Sequence, residues 1–168
     1  PDGSLYLVYI EFLSEDSITL FNIQGRHSAD GGRTYSPAAT KIADPVDGWN
    51  DPTVRYGVFL PSATASRQTG ELFVAYVAVV SGTPRVHVTK STNRGSTWSP
   101  PVVVSDQPSG VSVMNPAIAV TPDGRNVSVV FMDKRHATDG RDLVDHYAAL
   151  SVDGGTTWLR NIRLTEMS

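Results

Sequence analysis

One eight-residue phrase occurs three times in this chain: Ser28-Ala29-Asp30-Gly31-Gly32-Arg33-Thr34-Tyr35, Ser91-Thr92-Asn93-Arg94-Gly95-Ser96-Thr97-Trp98 and Ser151-Val152-Asp153-Gly154-Gly155-Thr156-Thr157-Trp158. Each reads Ser-x-Asp/Asn-x-Gly-x-Thr-aromatic, and the opening serines recur at intervals of about 60 residues. A period of that size marks a supersecondary unit that stacks on copies of itself. The phrase has the chemistry of a tight turn between strands. Asp30, Asn93 and Asp153 can cap backbone N–H groups, Gly32, Gly95 and Gly155 supply positive φ, and the Ser and Thr hydroxyls bond nearby backbone. Tyr35, Trp98 and Trp158 bring a large ring to pin each turn to its sheet.

The segments around the phrases repeat as well. Apolar runs stand at residues 5–10 (LYLVYI), 72–80 (LFVAYVAVV) and 127–131 (VSVVF), each followed by a polar loop, a further strand and the octet. A sheet with one wet face alternates apolar and polar; these runs do not, which predicts strands covered on both faces. The unit is four antiparallel strands with the octet between the third and fourth. The innermost strands fall near Thr53–Phe59 and Ala117–Val120, and the fourth strands near Ala38–Ile42, Pro101–Ser105 and Asn161–Thr165. Repeats at about 1–47, 48–109 and 110–168 form one domain of eleven strands, the first repeat lacking its innermost strand. With 14 Gly, 11 Pro and only 18% charged residues among 168, the composition suits a turn-rich all-β protein. A net charge of −3 without any Lys/Arg block argues against a nucleic-acid partner. Zero cysteines exclude disulfides and Cys-held metals, and His27, His87, His136 and His146 show no metal-ligand spacing, so no cofactor or metal is expected.

The three octets resemble the Asp-box, or BNR repeat, of sialidase-like β-propellers. Two positions depart from that pattern, Asn93 for Asp and Tyr35 for Trp. The resemblance implies four-stranded blades stacked face to face, of which this chain supplies a partial ring of about three. It also places the octets on one face of the ring and the substrate on the other. Ser28, Asp30, Gly32, Thr34, Tyr35, Ser91, Asn93, Gly95, Thr97, Trp98, Ser151, Asp153, Gly155, Thr157 and Trp158 are therefore expected to be structural.

The opposite face draws on the loops between blades and between second and third strands. Asn50-Asp51-Pro52 and Met114-Asn115-Pro116 each precede an innermost strand, so Asn50, Asp51 and Asn115 either face a ligand or merely start the strand. Trp49, the one Trp outside an octet, suits stacking on a sugar or packing between blades equally. Asp133 and Arg135 follow directly on an apolar strand; they suit either an ion pair or a site that handles a proton and grips a carboxylate. The aspartates at 139, 142 and 145 lack a calcium-loop pattern and are expected to solvate a loop.

Sialidases use a Tyr activated by a Glu, a general-acid Asp and three arginines, the first in an Arg-Ile-Pro-type segment that this chain lacks, so no catalytic residue carries over. Two functions remain open: part of the catalytic propeller of a sialidase-like glycoside hydrolase, or a non-catalytic propeller that binds glycans or proteins. Both imply an extracellular or periplasmic protein with no membrane span and further blades from additional sequence or self-association; the partner is a glycan or glycoconjugate substrate for the hydrolase and a glycan or protein for the binding module.

Overall fold

The computed structural model describes residues 3–14, 17–47, 60–137 and 143–166. Eleven described strands form three antiparallel sheets. The first sheet holds β1 (Leu5–Ser14), β2 (Ser17–Ser28) and β3 (Thr40–Asp47) in that order. The second holds β4 (Ser62–Ala65), β5 (Leu72–Val80), β6 (Thr83–Ser91) and β7 (Val102–Val103). The third holds β8 (Val113–Val120), β9 (Val127–Asp133), β10 (Asp145–Ser151) and β11 (Ile162–Arg163). This is the sialidase-like β-propeller arrangement, a partial ring with three strands in one blade and four in each of the others. Each octet lies between a third and a fourth strand.

The second sheet is the middle layer, and β5 explains why. Its alternate residues Phe73, Ala75 and Val77 join one buried cluster with Val113, Val129 and Phe131 of the third sheet. The intervening Val74, Tyr76 and Ala78 join another with Phe21 and Ile23 of the first sheet. Successive strand residues point to opposite faces, so an unbroken apolar run is what a strand between two cores requires. β9 shows the contrast: its buried and half-buried residues alternate, because only one face meets a described neighbour.

The strand limits differ from the sequence reading in three places. The innermost strand expected at Thr53–Phe59 falls outside the described residues, and the strand that occupies this position is β4 at Ser62–Ala65. β8 begins before Asn115-Pro116 rather than after it. Proline cannot donate to a ladder, so Pro116 is accommodated by a bulge: the register shifts between Met114 and Ala117, and Asn115 takes a φ of 51°. β7 and β11 are two-residue strands, shorter than expected, as befits outer edges that must not recruit another chain.

The three octets are nearly superimposable in their bonding. In the third, Ser151 Oγ donates to Asp153 Oδ1 at 2.8 Å and accepts from Gly155 N at 2.9 Å. Thr157 N donates to Asp153 Oδ1 at 2.9 Å and Thr157 Oγ1 to Asp153 Oδ2 at 2.6 Å. Asp30 repeats the pattern with Ser28, Gly32 and Thr34. Asn93 keeps the shared acceptor oxygen but reverses the last bond, its Nδ2 donating to Thr97 Oγ1 at 2.8 Å. The fourth position also turns left-handed, with φ of 74° at Gly31, 69° at Gly154 and 60° at Arg94, a demand the repeat pattern did not reveal. Gly95 answers a packing need too: a Cβ there would lie 2.1 Å from the Tyr6 ring, whose hydroxyl donates to Gly95 O.

The rings of the second and third octets pack against the preceding sheet. Trp98 meets Tyr6 of β1 with ring centroids 5.9 Å apart, and Trp158 packs on the cluster that contains Phe73. Tyr35 departs from the expected burial at 38% exposed, because no described sheet lies on that side to receive it. Trp158→Ala should therefore cost up to the about 3–5 kcal/mol of a buried ring, and Tyr35→Ala far less, as read by chemical denaturation of the 168-residue chain. Equal losses would contradict the packing order.

Hydrogen bonds from Thr157 and Ser151 hold the Asp153 carboxyl down at about 2, and those from Thr34 and Ser28 do the same for Asp30. Their unfolded values sit near 3.9. The stability they contribute is thus complete above about pH 4 and is lost as pH falls towards 2. Asn93 shows that an amide fits the turn, so the double variant Asp30→Asn/Asp153→Asn should fold at pH 7 yet show a flatter fall in Tm between pH 4 and 2 than wild type. An unchanged acid profile would remove these two carboxylates as its source.

Candidate functional site

The turn at Thr121–Asn126 adjoins the third octet, Gly154 N donating to Arg125 O at 2.8 Å. From that end β9 carries the chain to the opposite end of the sheet and delivers Asp133, which is completely buried. Such a carboxylate requires donors. Arg135 supplies three: its backbone N to Asp133 Oδ1 at 2.7 Å, and Nε and Nη2 to Oδ2 at 3.0 and 2.8 Å. Arg135 Nη2 also meets Asp106 Oδ1 at 2.9 Å, and its guanidinium lies 4.0 Å from the centroid of the Tyr147 ring. Burial works against the guanidinium charge, but the bonds and charges of Asp133 and Asp106 outweigh it and hold the Arg135 pKa above its ordinary value.

Asp106 belongs to the segment joining the second and third sheets and is fastened at both ends. Its N donates to Asn161 Oδ1 at 2.8 Å, and Asn161 N donates back to Asp106 Oδ2 at 2.9 Å. Beside it the buried Gln107 donates to Pro84 O. The end of the interface between these two sheets is thus closed by a polar lattice centred on one guanidinium.

A second cluster adjoins the first. Asp145, paired with Asp133 across the β9–β10 ladder, is buried and accepts from Arg163 Nη2 at 2.7 Å and Thr165 Oγ1 at 2.6 Å. His136 Nδ1 lies 2.9 Å from its other oxygen. Burial pushes the Asp145 carboxyl up, yet the bonds from Thr165, His136 and Arg163 prevail and leave it at about 2. The role expected for Asp145, solvating a loop, is therefore corrected: it is a buried anchor for three donors. Burial raises the Tyr147 hydroxyl above its usual range, so it remains a phenol at neutral pH.

Of the residues singled out from sequence, the structure brings Asp133 and Arg135 together. Asn115 stands apart: its Nδ2 meets Met132 Sδ at 3.4 Å, and Met132, next to Asp133 in β9, points to the other face of the sheet. Trp49, Asn50 and Asp51 lie outside the described residues, as do Asp139 and Asp142. Sequence reasoning passed over Asp106, Tyr147 and Arg163, and gave His136 and Asp145 no place in a site. The available hint was their place in loops and strand ends on the face away from the octets. Among the described residues no group of His, Asp and Glu has the arrangement of a metal site.

A cavity of about 570 Å³ lies on the octet side instead, lined by Tyr6, His27, Ala65, Thr69, Arg94 and Trp98 among others. It runs between β1 and β4. At the corresponding place between the second and third sheets, β8 packs on β4 and β5, and Ile118 N donates to Ser62 Oγ. The first sheet has no described fourth strand to play this part, which accounts for the space.

Arg135→Lys should lower stability, because one ammonium cannot span Asp133 and Asp106 and also lie flat on Tyr147. Asp133→Ala should cost more, about 3–5 kcal/mol, the loss typical when a buried pair is broken from one side. Urea denaturation measures both; a variant within experimental error of wild type would show that the lattice adds nothing.

No protein-family pattern and no curated protein sequence matches this chain. Solved structures do. The chain is similar to an α-L-arabinanase of Penicillium chrysogenum solved with arabinobiose, at 18% identity and a TM-score of 0.66, over 99% of this chain and 47% of that one. It is similar to an α-L-arabinofuranosidase of Fusarium graminearum, also solved with arabinobiose, at 18% identity and a TM-score of 0.63, over 99% and 46%. A Hadza microbial sialidase matches at 17% identity and a TM-score of 0.62, over 94% and 34%. The chain thus spans less than half the length of each, and its fold is that of the sialidase-like β-propeller.

Proposed function

We propose that this chain forms part of the propeller of a glycoside hydrolase that acts on glycans at the face opposite the octets. The observation that carries the reading is the likeness of nearly the whole chain to an α-L-arabinanase, an α-L-arabinofuranosidase and a sialidase. The polar clusters around Arg135 and Asp145 add support, since they gather where loops join the second and third sheets. Arg135 and Asn115 remain the contacts proposed from the described residues, with Trp49, Asn50 and Asp51 from the segment before β4; Asp133, expected from sequence to join them, is completely buried and acts only through Arg135. Because Arg135 already spends its fork on two carboxylates, a neutral sugar suits this face better than the acidic one a sialidase takes. Further blades, from additional sequence or a second copy, would complete the ring and the site.

A non-catalytic glycan- or protein-binding propeller is the second reading. It is favoured by one observation: the carboxylates that meet on this face, Asp106, Asp133 and Asp145, are each already engaged by arginine. Either role is compatible with an extracellular or periplasmic site of action. No described helix is long and apolar enough to cross a membrane.

The intact protein should release nitrophenol from p-nitrophenyl α-L-arabinofuranoside, and calorimetry should show binding of arabinobiose. Binding without release from this glycoside or from a fluorogenic sialoside would favour the binding module. The absence of both binding and release with arabinosides and sialosides would overturn the glycan reading.

A further inference from the structure

His136 combines a fixed edge with an open one. Its side chain is 48% exposed, while the carboxylate it touches, on Asp145, is 10% exposed. An ionised carboxylate only accepts, so Nδ1 carries the proton of the 2.9 Å bond. In the neutral ring this leaves Nε2, at the opposite edge, with an unshared pair. No described residue bonds that nitrogen. Arg163 and Thr165 immobilise Asp145, and the His136 ring packs against Tyr147 with centroids 6.2 Å apart. Among the described residues, the charged and titratable groups around the imidazole are thus Asp145, Arg163, Tyr147 and, one residue away over the Tyr147 ring, Arg135. A side chain needed only as a surface ion-pair partner gains nothing from a buried, triply bonded anchor. Holding an imidazole in one tautomer and one orientation is what such an anchor achieves.

Building on the glycan reading above, we infer that His136 is a ligand contact on this face, its Nε2 accepting a hydrogen bond from a sugar hydroxyl while Asp145 fixes the ring. Asp145 is a positioning residue in this arrangement and does not itself touch the ligand. His136→Phe keeps the ring against Tyr147 but removes Nε2.

Two measurements on the intact protein test this. Long-range proton–nitrogen spectra of the histidine-labelled protein, recorded where His136 is neutral, should show the Nδ1–H tautomer; Asp145→Asn should disturb that preference. Titration with arabinobiose should shift His136 Nε2, and His136→Phe should weaken binding by about three- to tenfold, the worth of one hydrogen bond. An Nε2–H tautomer, or equal affinity in the Phe variant, overturns the inference and leaves glycan binding standing. If neither arabinobiose nor sialyllactose moves any resonance on this face, the glycan reading falls and the inference with it.

Discussion

Everything in this structure depends on burying both faces of β5. A strand can offer alternate residues to two cores only if a sheet lies on each side, and here Phe73, Ala75 and Val77 face one neighbour while Val74, Tyr76 and Ala78 face the other. The hydrophobic effect is non-directional and cannot choose how the sheets are rotated. Side-chain bonds between adjoining sheets add that direction. Tyr6 reaches Gly95 in the second octet, Lys90 reaches Gly154 in the third, and Ser66 reaches Pro122 in the turn beside it.

The octets convert a local problem into a stacking device. A sharp turn leaves backbone N–H groups without strand partners, and a buried orphan donor is costly. One Ser and one Asp or Asn per turn satisfy them from within, so the turn is rigid before it meets its neighbour. The closing indole then projects onto the preceding sheet, as Trp98 does on Tyr6. At the ends of the strands far from the octets, the described residues show no such common device. There the second and third sheets are closed by Arg135 between Asp133 and Asp106. A shared scaffold with one repetitive end and one idiosyncratic end is the usual setting for a site on a repeat protein.

The polar lattice also bears on chemistry. A guanidinium that satisfies two carboxylates and lies on an aromatic ring is a structural cation first, and its remaining capacity for a ligand carboxylate is small. His136 has the reverse character, with its tether buried and its other edge open. Adjacent in sequence, the two residues differ in what engages them: Arg135 is spent between Asp133 and Asp106, whereas His136 is held through Nδ1 alone by Asp145.

The repeated octet by itself determined the turn chemistry, the positions of Asp30, Asn93 and Asp153, the division into three sheets and the antiparallel order within them. These features are local or periodic: a cap needs residues two to four apart, and the unbroken apolar run of β5 implies two cores. The apolar strand before them pointed to Asp133 and Arg135 as a pair, because they stand two residues apart at its end. The sequence was silent on what depends on bringing distant segments together. Asp106 joins Arg135 only because sheets stack, and Asp145 becomes a buried anchor only because β11 returns with Arg163 and Thr165 beside it. Tyr35 stays exposed for the same reason in reverse, since a ring can be buried only where tertiary structure supplies a surface to receive it.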